Sequence, residues 1–470
     1  MQVSYNDFIE NIKNKSILFY GFSRSNIPLA NMLLKENINV TIYDDKSEEK
    51  FSKADIEKLK TRPNLSLRLA DGKVWDEYFD IIIRTPGISY FEEKIVNSRK
   101  KGSIITSEME IFFDLCPCPI IGITGSDGKT TITTIIYEML KESGFTVHLG
   151  GNIGFPLLPN IDNIKKTDIA VVELSSFQLM SMRRSPEIAV ISNISPNHLD
   201  FHKTMEEYID SKKQILVHQN AFSKAVLNFE NEETKKMYKI SRGKTLFFSS
   251  KRRVDFGTWV DENGNVFYSE NGKDTFILNR SEIKVPGNHN LENFLTAISS
   301  VIGIVSIQDI KKVAKSFNGV NHRIEFIRKV NGVSYYNDSI ASTPTRTIKG
   351  ALSLFKDKII LIAGGYDKKV PFDSLAKEIV KKVSILILMG NSADKILDEI
   401  THLEDYNEET LKIIKVDSME NAVKEAKNNS KSGDIVVLSP ACASFDLYKN
   451  FEERGNHFKS LVSKIIEDRE

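Results

Sequence analysis

The chain reads as an α/β protein of three domains: two Rossmann-like modules on either side of a central P-loop module that carries a small β insertion. Three observations predict this. Short apolar runs alternate with helix-period segments from residue 16 onward, the pattern of parallel sheets wound with helices. The turn Gly125-Ser126-Asp127-Gly128-Lys129-Thr130 follows the apolar run at 120–124 and precedes helical spacing. Finally, 470 residues exceed what one core organises. Boundaries are expected at 1–115, 116–319 and 320–470, with Pro117 and Pro119 marking the first linker and residues 318–323 the second junction.

In the first module a strand at 16–20 leads to Gly21, then to a helical pattern through Leu29, Met32 and Leu33. A second strand at 39–43 ends at Asp44 and Asp45, about where a Rossmann unit places the acid that binds ribose hydroxyls. Ser23 and Asn26 stand where the other two fingerprint glycines belong. A purely structural β-α-β unit therefore fits as well as dinucleotide binding. A strand at 78–83 ends in Arg84-Thr85-Pro86-Gly87. Ligands gather at the carboxyl ends of such strands, so Arg84, Pro86 and Gly87 are candidate anion contacts.

The central module opens on the glycine turn. Backbone N–H groups there, with the helix dipole behind them, suit phosphate oxygens. Lys129 would meet the outer phosphates and the Thr130 hydroxyl a magnesium ion. Gly122 precedes Gly128 by six residues, one more than the usual loop. A strand at 168–172 ends in Glu173, and a carboxylate at that place commonly holds Mg²⁺, although a solvated strand-end glutamate is the plainer reading. His198, in the loop after the strand at 188–194, is a candidate metal ligand, but a lone loop histidine is usually not one.

Thr204-Met205-Glu206-Glu207 is a capping box that starts a helix. Met205, Tyr208, Ile209, Ile215 and Leu216 form its apolar stripe, with Lys212 inside the stripe and Lys213 toward its edge. An inward lysine must be paired, snorkel outward or be chemically altered. Residues 225–285 turn to short alternating runs, the β insertion. Asn290 then lies in the polar first turn of another helix, suited to a nucleotide base. In the last module the strand ends carry Asn337-Asp338-Ser339, Gly364–Lys368 as residues 364–368, and residues 439–444.

Composition narrows the classes. Lys plus Arg (64) nearly balances Asp plus Glu (63), which gives no support for broad attraction to nucleic acid or membrane. No apolar run reaches membrane-spanning length, and the first residues carry no signal-peptide pattern. Cys116 and Cys118 alternate with prolines and Cys442 stands alone, so neither a disulfide framework nor a four-ligand zinc site is indicated. A cytoplasmic location is expected.

These pieces together resemble the Mur ligases, ATP-dependent amide-forming enzymes of peptidoglycan synthesis. The phosphate loop, with the same extra residue, is followed in the family's order by Gly151-Asn152-Ile153-Gly154, Glu173-Leu174-Ser175-Ser176-Phe177-Gln178, Asn197-His198-Leu199-Asp200 and His322-Arg323. Residues 438–455 are similar to the C-terminal signature of the D-glutamate-adding branch. The resemblance implies that ATP is bound by Gly125, Ser126, Asp127, Gly128, Lys129, Thr130 and Thr131, together with Asn290, Arg323 and Asp338. It implies a catalytic group of Lys129, Asn152, Glu173, His198 and Lys212, and a Mg²⁺ site made by Thr130, Glu173, His198 and a carbamylated lysine. Two adjacent lysines match the last position. The Tyr208-x-x-x-Lys212 pattern and the helical phase both select Lys212, where a carbamate would exchange a cation for an anion.

UDP-N-acetylmuramoyl-L-alanine is implied as a substrate, with its UDP group held by Gly21, Phe22, Ser23, Arg24, Asp44, Arg84, Pro86 and Gly87. D-glutamate would be held by Ser342, Lys368, Ser444 and the backbone near Phe451. A monomer is expected. The pattern departs from many relatives at Ile340 and Ser342, which stand where they carry lysine and threonine, so a cation must be missing or come from elsewhere; Arg346 is a candidate. A sibling ligase adding another amino acid is the alternative, or a folylpolyglutamate-synthase-like enzyme, which would normally lack the first module. A regulator that only binds nucleotide needs no such metal constellation, and a dehydrogenase rests on the first module alone.

Overall fold

The computed structural model describes residues 4–23, 25–51, 53–154, 156–196, 199–355, 357–367 and 370–466. The chain divides into two compact units, Met1–Ser316 and Phe317–Glu470. The first contains two sheets and the second contains one.

The first sheet consists of β1 (Ile17–Tyr20), β2 (Val40–Asp44), β3 (Leu65–Leu69), β4 (Ile81–Arg84) and β5 (Ile104–Thr106). Their spatial order is β3-β2-β1-β4-β5, with every pairing parallel. Every residue of β1 and β4 is buried, as continuous apolar strands covered on both faces require. The order reverses at β1, so the crevice between the carboxyl ends of β1 and β4 is the topological switch point.

The second sheet comprises β6 (Ile120–Thr124), β7 (Val147–Gly151), β8 (Ile169–Glu173), β9 (Ile188–Ile191), β10 (Lys224–Asn228), β11 (Lys244–Ser249), β12 (Gly257–Val260), β13 (Asn265–Glu270) and β14 (Lys273–Asn279). The order is β14-β13-β12-β11-β10-β9-β6-β8-β7. From β7 to β12 neighbouring strands run parallel, and β13 and β14 add two antiparallel strands at one edge. The β segment is thus hydrogen-bonded into the sheet that bears the phosphate loop rather than forming a separate layer. Strand β6 lies between β8 and β9, and its loop feeds the helix Lys129–Glu142. That helix buries Ile132, Ile135, Ile136, Met139 and Leu140, the 3.6-residue stripe of a helix packed on a sheet. One apolar core links the two sheets through Met109, Phe112, Phe113 and Leu115 of the helix Glu108–Leu115, packed toward Leu157 and Leu158.

The second unit carries β15 (Glu325–Val330), β16 (Val333–Asn337), β17 (Ile359–Ala363), β18 (Val383–Leu388), β19 (Lys412–Lys415) and β20 (Ile435–Leu438) in the order β15-β16-β20-β17-β18-β19. Among the described residues of this sheet only the β15–β16 pair is antiparallel. Among the described residues no helix is long and apolar enough to cross a membrane.

Candidate active site

The loop between β6 and the helix Lys129–Glu142 has a backbone that only glycine tolerates at two points. Gly125 has φ +149° and a Cβ there would strike Ser192 Oγ. Gly128 has φ +80°, with Asn293 Oδ1 only 2.6 Å from where a Cβ would lie. The intervening residues are tied to the carboxyl end of β9 and the loop beyond it. Ser126 Oγ donates to Ser195 O (2.9 Å) and pairs with Tyr208 OH (2.9 Å), and Asp127 N donates to Asn193 Oδ1 (3.0 Å). Ser192 Oγ donates to Asp127 O at 2.6 Å. The loop is therefore fixed before any ligand arrives. Lys129 Nζ curls back onto Gly125 O and Ser126 O, 2.9 Å from each. Thr131 follows, partly exposed, in the first turn of the helix.

Glu173, at the end of β8, is buried to 1% exposure. Each of its carboxylate oxygens accepts one hydrogen bond: Oε2 from Thr130 Oγ1 at 2.8 Å, and Oε1 from Asn152 Nδ2 at 2.9 Å. Asn152 N also donates to Glu173 O (2.8 Å), so the residue just past β7 is held to the β8 end by backbone and side chain together. Strand order explains the convergence: β6, β8 and β7 are consecutive neighbours, and Thr130, Glu173 and Asn152 sit at their carboxyl ends.

Lys212 lies on the helix Met205–Val217 with Tyr208, Ile215 and Leu216 on the buried face. Its Nζ donates to Gly125 O (2.8 Å) and Thr124 Oγ1 (3.3 Å), and stands 4.7 Å from the centre of the Tyr208 ring. Burial first, and the nearby Lys129 second, hold its pKa well below the ordinary lysine value, against the opposing pull of Asp127 and Glu173. Burial and Lys129 both shift the balance toward the neutral amine. Lys213 points outward and pairs with Asp210 at 2.7 Å.

Asn290 occupies the first turn of the helix Asn288–Val301, where its Nδ2 donates to Pro286 O (2.7 Å) and its Oδ1 accepts from Asn293 (3.4 Å). Asn293 is the residue against Gly128, so this helix start borders the phosphate loop.

At the first sheet's switch point, Gly21 (φ +104°) lets the β1 turn press on Thr85 after β4. Asp44 accepts from Phe22 N (2.9 Å) and Lys46 N (3.0 Å), while the Phe22 ring meets Phe51 edge-on at 4.8 Å. Ser23 Oγ pairs with Ser25 Oγ at 3.0 Å. Pro86 and Gly87 lie in the turn closed by Ile88 N to Thr85 O. Arg84, expected as an anion contact, has an environment of its own. It is wholly buried, its Nη1 donates to Ile88 O (2.8 Å), and its Nη2 donates to Ser181 Oγ (2.6 Å) and Phe177 O (3.3 Å). Glu110 accepts from the same Ser181 hydroxyl (3.0 Å). The guanidinium thus fastens β4 to the segment after β8, while its buried Nε has no hydrogen-bond partner among the described residues. Arg24 lies outside the described residues.

In the second unit, Asp338 follows β16 and is buried to 3% exposure. It accepts from Ser439 Oγ (2.7 Å) and Ile324 N (3.3 Å). Burial pushes its pKa up to about 7, opposed by those hydrogen bonds and by Arg323 and Arg346. Arg323 is exposed beside this position. Arg346 Nη1 donates to Ile340 O at 3.2 Å, which sets an exposed cation against the residue whose side chain carries none. Ser342 is partly exposed in the same loop. Ser444 is buried, and Phe451 opens the helix Phe451–Ser463 with its carbonyl accepting from Ser339 Oγ (2.8 Å). Arg454, also buried, donates to the carbonyls of Ser339, Cys442 and Ala443 and to Ser339 Oγ, clamping the 439–444 loop to the end of β16. Lys368 and His198 lie outside the described residues.

Residues 123–301 match the model of the Mur ligase middle domain, and residues 322–442 match that of the Mur ligase glutamate ligase domain. The chain is 48% identical over 471 residues to the UDP-N-acetylmuramoylalanine--D-glutamate ligase of Acetivibrio thermocellus, covering 99% of this chain and 100% of that protein. It is 44% identical to the protein of the same name from Clostridium acetobutylicum, again over 99% and 100%. The chain belongs to the Mur ligase family. Solved structures agree in fold. A UDP-N-acetylmuramate-alanine ligase from Thermotoga maritima gives a TM-score of 0.52 at 16% identity, covering 96% of this Mur ligase and 99% of that chain. A pseudomurein peptide ligase from Methanothermus fervidus gives 0.51 at 18%, covering 96% and 100%.

The residues of this Mur ligase that suit a divalent cation are few. Among the described residues no three His, Cys, Asp or Glu side chains converge. Thr130 and Glu173 nevertheless present a hydroxyl and a carboxylate to each other directly at the phosphate loop, an all-oxygen pair of the kind Mg²⁺ takes beside bound phosphates. Sequence reasoning missed Ser192, Asn193 and Asn293, which hold the loop. Their only signal was position, at the end of the strand beside β6 and one turn beyond Asn290.

Proposed function

We propose that this Mur ligase adds D-glutamate to UDP-N-acetylmuramoyl-L-alanine at the expense of ATP, through an acyl phosphate. The observation that carries the reading is the convergence of Lys129, Thr130, Glu173, Asn152 and Lys212 on one glycine-rich turn. Loop N–H groups from Gly125 to Thr131 would receive the ATP phosphates, and Lys129 would exchange its two carbonyl partners for phosphate oxygens. Thr130, Glu173, His198 and Lys212 as a carbamate would hold magnesium. When bound, that ion supplies neutralising charge to the phosphate oxygens.

Burial shifts Lys212 toward the free amine, whose lone pair would take up carbon dioxide, and the resulting anion would lie beside Lys129 instead of repelling it. The alanyl carboxylate then attacks the γ-phosphorus and ADP leaves. The amine of D-glutamate attacks the acyl carbon and inorganic phosphate leaves. Asn152, fixed by Glu173, is the neutral donor at the transferred group.

The module 1–115 would bind the UDP group through the turns after Gly21 and Pro86 and through Asp44, and 116–319 would bind ATP. The module 320–470 would bind D-glutamate through Ser342, Lys368, Ser444 and the backbone at Phe451, with Asn290, Arg323 and Asp338 contributing to ATP. We place the enzyme in the cytoplasm as a monomer. The name shared by its relatives favours D-glutamate over a sibling's amino acid.

Labelling the alanyl carboxylate with oxygen-18 tests the route. One label per turnover should appear in the released phosphate, and phosphate free of label would refute the acyl-phosphate step.

A further inference from the structure

Cys116 and Cys118 play no part in the ligase site. They sit in the Cys-Pro-Cys-Pro segment between the helix Glu108–Leu115 and β6. Their Sγ atoms are 3.6 Å apart, and Cys116 Sγ also donates to Cys118 O at 3.6 Å. A disulfide needs the sulfurs at about 2.05 Å, so closure requires a movement of roughly 1.5 Å. Both side chains are largely buried, yet they line a surface cleft of about 370 Å³ with Phe113, Arg184, Ser185 and Glu187. The cleft holds both charges: Arg184, half exposed and paired with Asp114 at 2.8 Å, and Glu187, whose Oε2 accepts from Ile120 N at 2.7 Å.

We propose that Cys116 and Cys118 form a dithiol modification site that a low-molecular-weight disulfide of the glutathione type converts to an intramolecular disulfide. The order of attack follows from the pair. The sulfurs share one hydrogen bond that either thiol can donate, so the pair gives up its first proton below the ordinary thiol pKa and its second above it, with Cys116 the one held lower. The Cys116 thiolate attacks one sulfur of the external disulfide, whose S–S bond breaks and expels one thiolate. Cys118 then loses its proton to water and attacks the Cys116 sulfur, expelling the second thiolate. Two protein thiols are oxidised and one external disulfide is reduced to two thiols.

Closure has a defined mechanical consequence. The chain after the pair is pinned, because Ala170 N donates to Pro119 O (3.0 Å) and Ile120 N to Glu187. The movement therefore falls on the Cys116 side, where Cys116 N caps the helix by donating to Phe112 O at 2.8 Å. Cys442 is the internal control. It is buried against Ser392 Oγ at 3.0 Å, its thiol is pushed up to about 11, and it lies outside the cleft.

The test exposes the folded, full-length, chelator-treated protein to glutathione buffers of rising oxidised fraction, read by intact mass and peptide mapping. The wild type should lose two hydrogen masses, show a 116–118 crosslink, retain no glutathione and be restored by dithiothreitol, with Cys442 unmodified. Cys118→Ser should instead retain one glutathione on Cys116. Wild-type protein that keeps glutathione on either cysteine overturns the proposal. So does a pair that reacts only after unfolding, or one that takes up a thiophilic metal without chelator yet never forms the crosslink. The wild-type mass alone decides if the variant fails to fold.

Discussion

Lys212 is buried with two neutral oxygen acceptors, Thr124 Oγ1 and Gly125 O, whereas Lys213 one residue on is paired with Asp210 at the surface. Lys212→Ala should lower kcat on the order of 10²-fold or more, as removal of a preorganised charge does, and Lys213→Ala should leave it within about twofold. Steady-state phosphate release checks both, and the reverse outcome refutes the assignment. Glu108 offers a separate test. It is almost wholly buried, with one N–H from Leu158 as partner (3.3 Å), and burial pushes its carboxyl up to about 7. Between the ordinary glutamate range and that value the folded state holds a proton that the unfolded state has lost, so stability falls as pH rises through this window. A shift from 4.5 to about 7 corresponds to about 3 kcal/mol at full effect. Glu108→Gln should therefore gain stability over the parent near pH 8 and lose the advantage near pH 5. Equal urea midpoints at both pH values would contradict this. The inward face of Lys212 was legible in sequence because helical phase is a local property. The placement of Arg84 was not, because Phe177 and Ser181, which accept hydrogen bonds from its guanidinium, lie about a hundred residues away and reach it only once the chain has folded.

The phosphate loop shows how far an element can be read. Its glycines, lysine and following helix are contiguous in sequence, so the turn was evident; its rigidity comes from β9 and the helix Asn288–Val301, which are not. Gly128→Ala would place a Cβ against Asn293 Oδ1 in a left-handed conformation, a strain of about 1–2 kcal/mol. Isothermal titration should show ATP affinity reduced at least tenfold with the fold retained by circular dichroism. Wild-type affinity would show that the loop is softer than its geometry indicates. The strands β10–β14 carried visible alternation, but their pairing into the phosphate-loop sheet was hidden, since register between distant strands is not written in composition.

At the scale of the molecule, the winding of strands and helices announced three sheet-based modules, and the described residues form three sheets. Which sheets would share a core could not be read. The helix Glu108–Leu115 joins the first two through one apolar cluster, while 317–470 builds its own. Scanning calorimetry should accordingly resolve two transitions, with Glu108→Gln shifting only the one that belongs to residues 1–316. The central claim concerns what the assembled enzyme ligates, and a panel of amino acids assayed for phosphate release with ATP and UDP-N-acetylmuramoyl-L-alanine tests it most directly. Release should require D-glutamate. Equal or faster release with L-alanine, L-lysine or diaminopimelate would contradict the account.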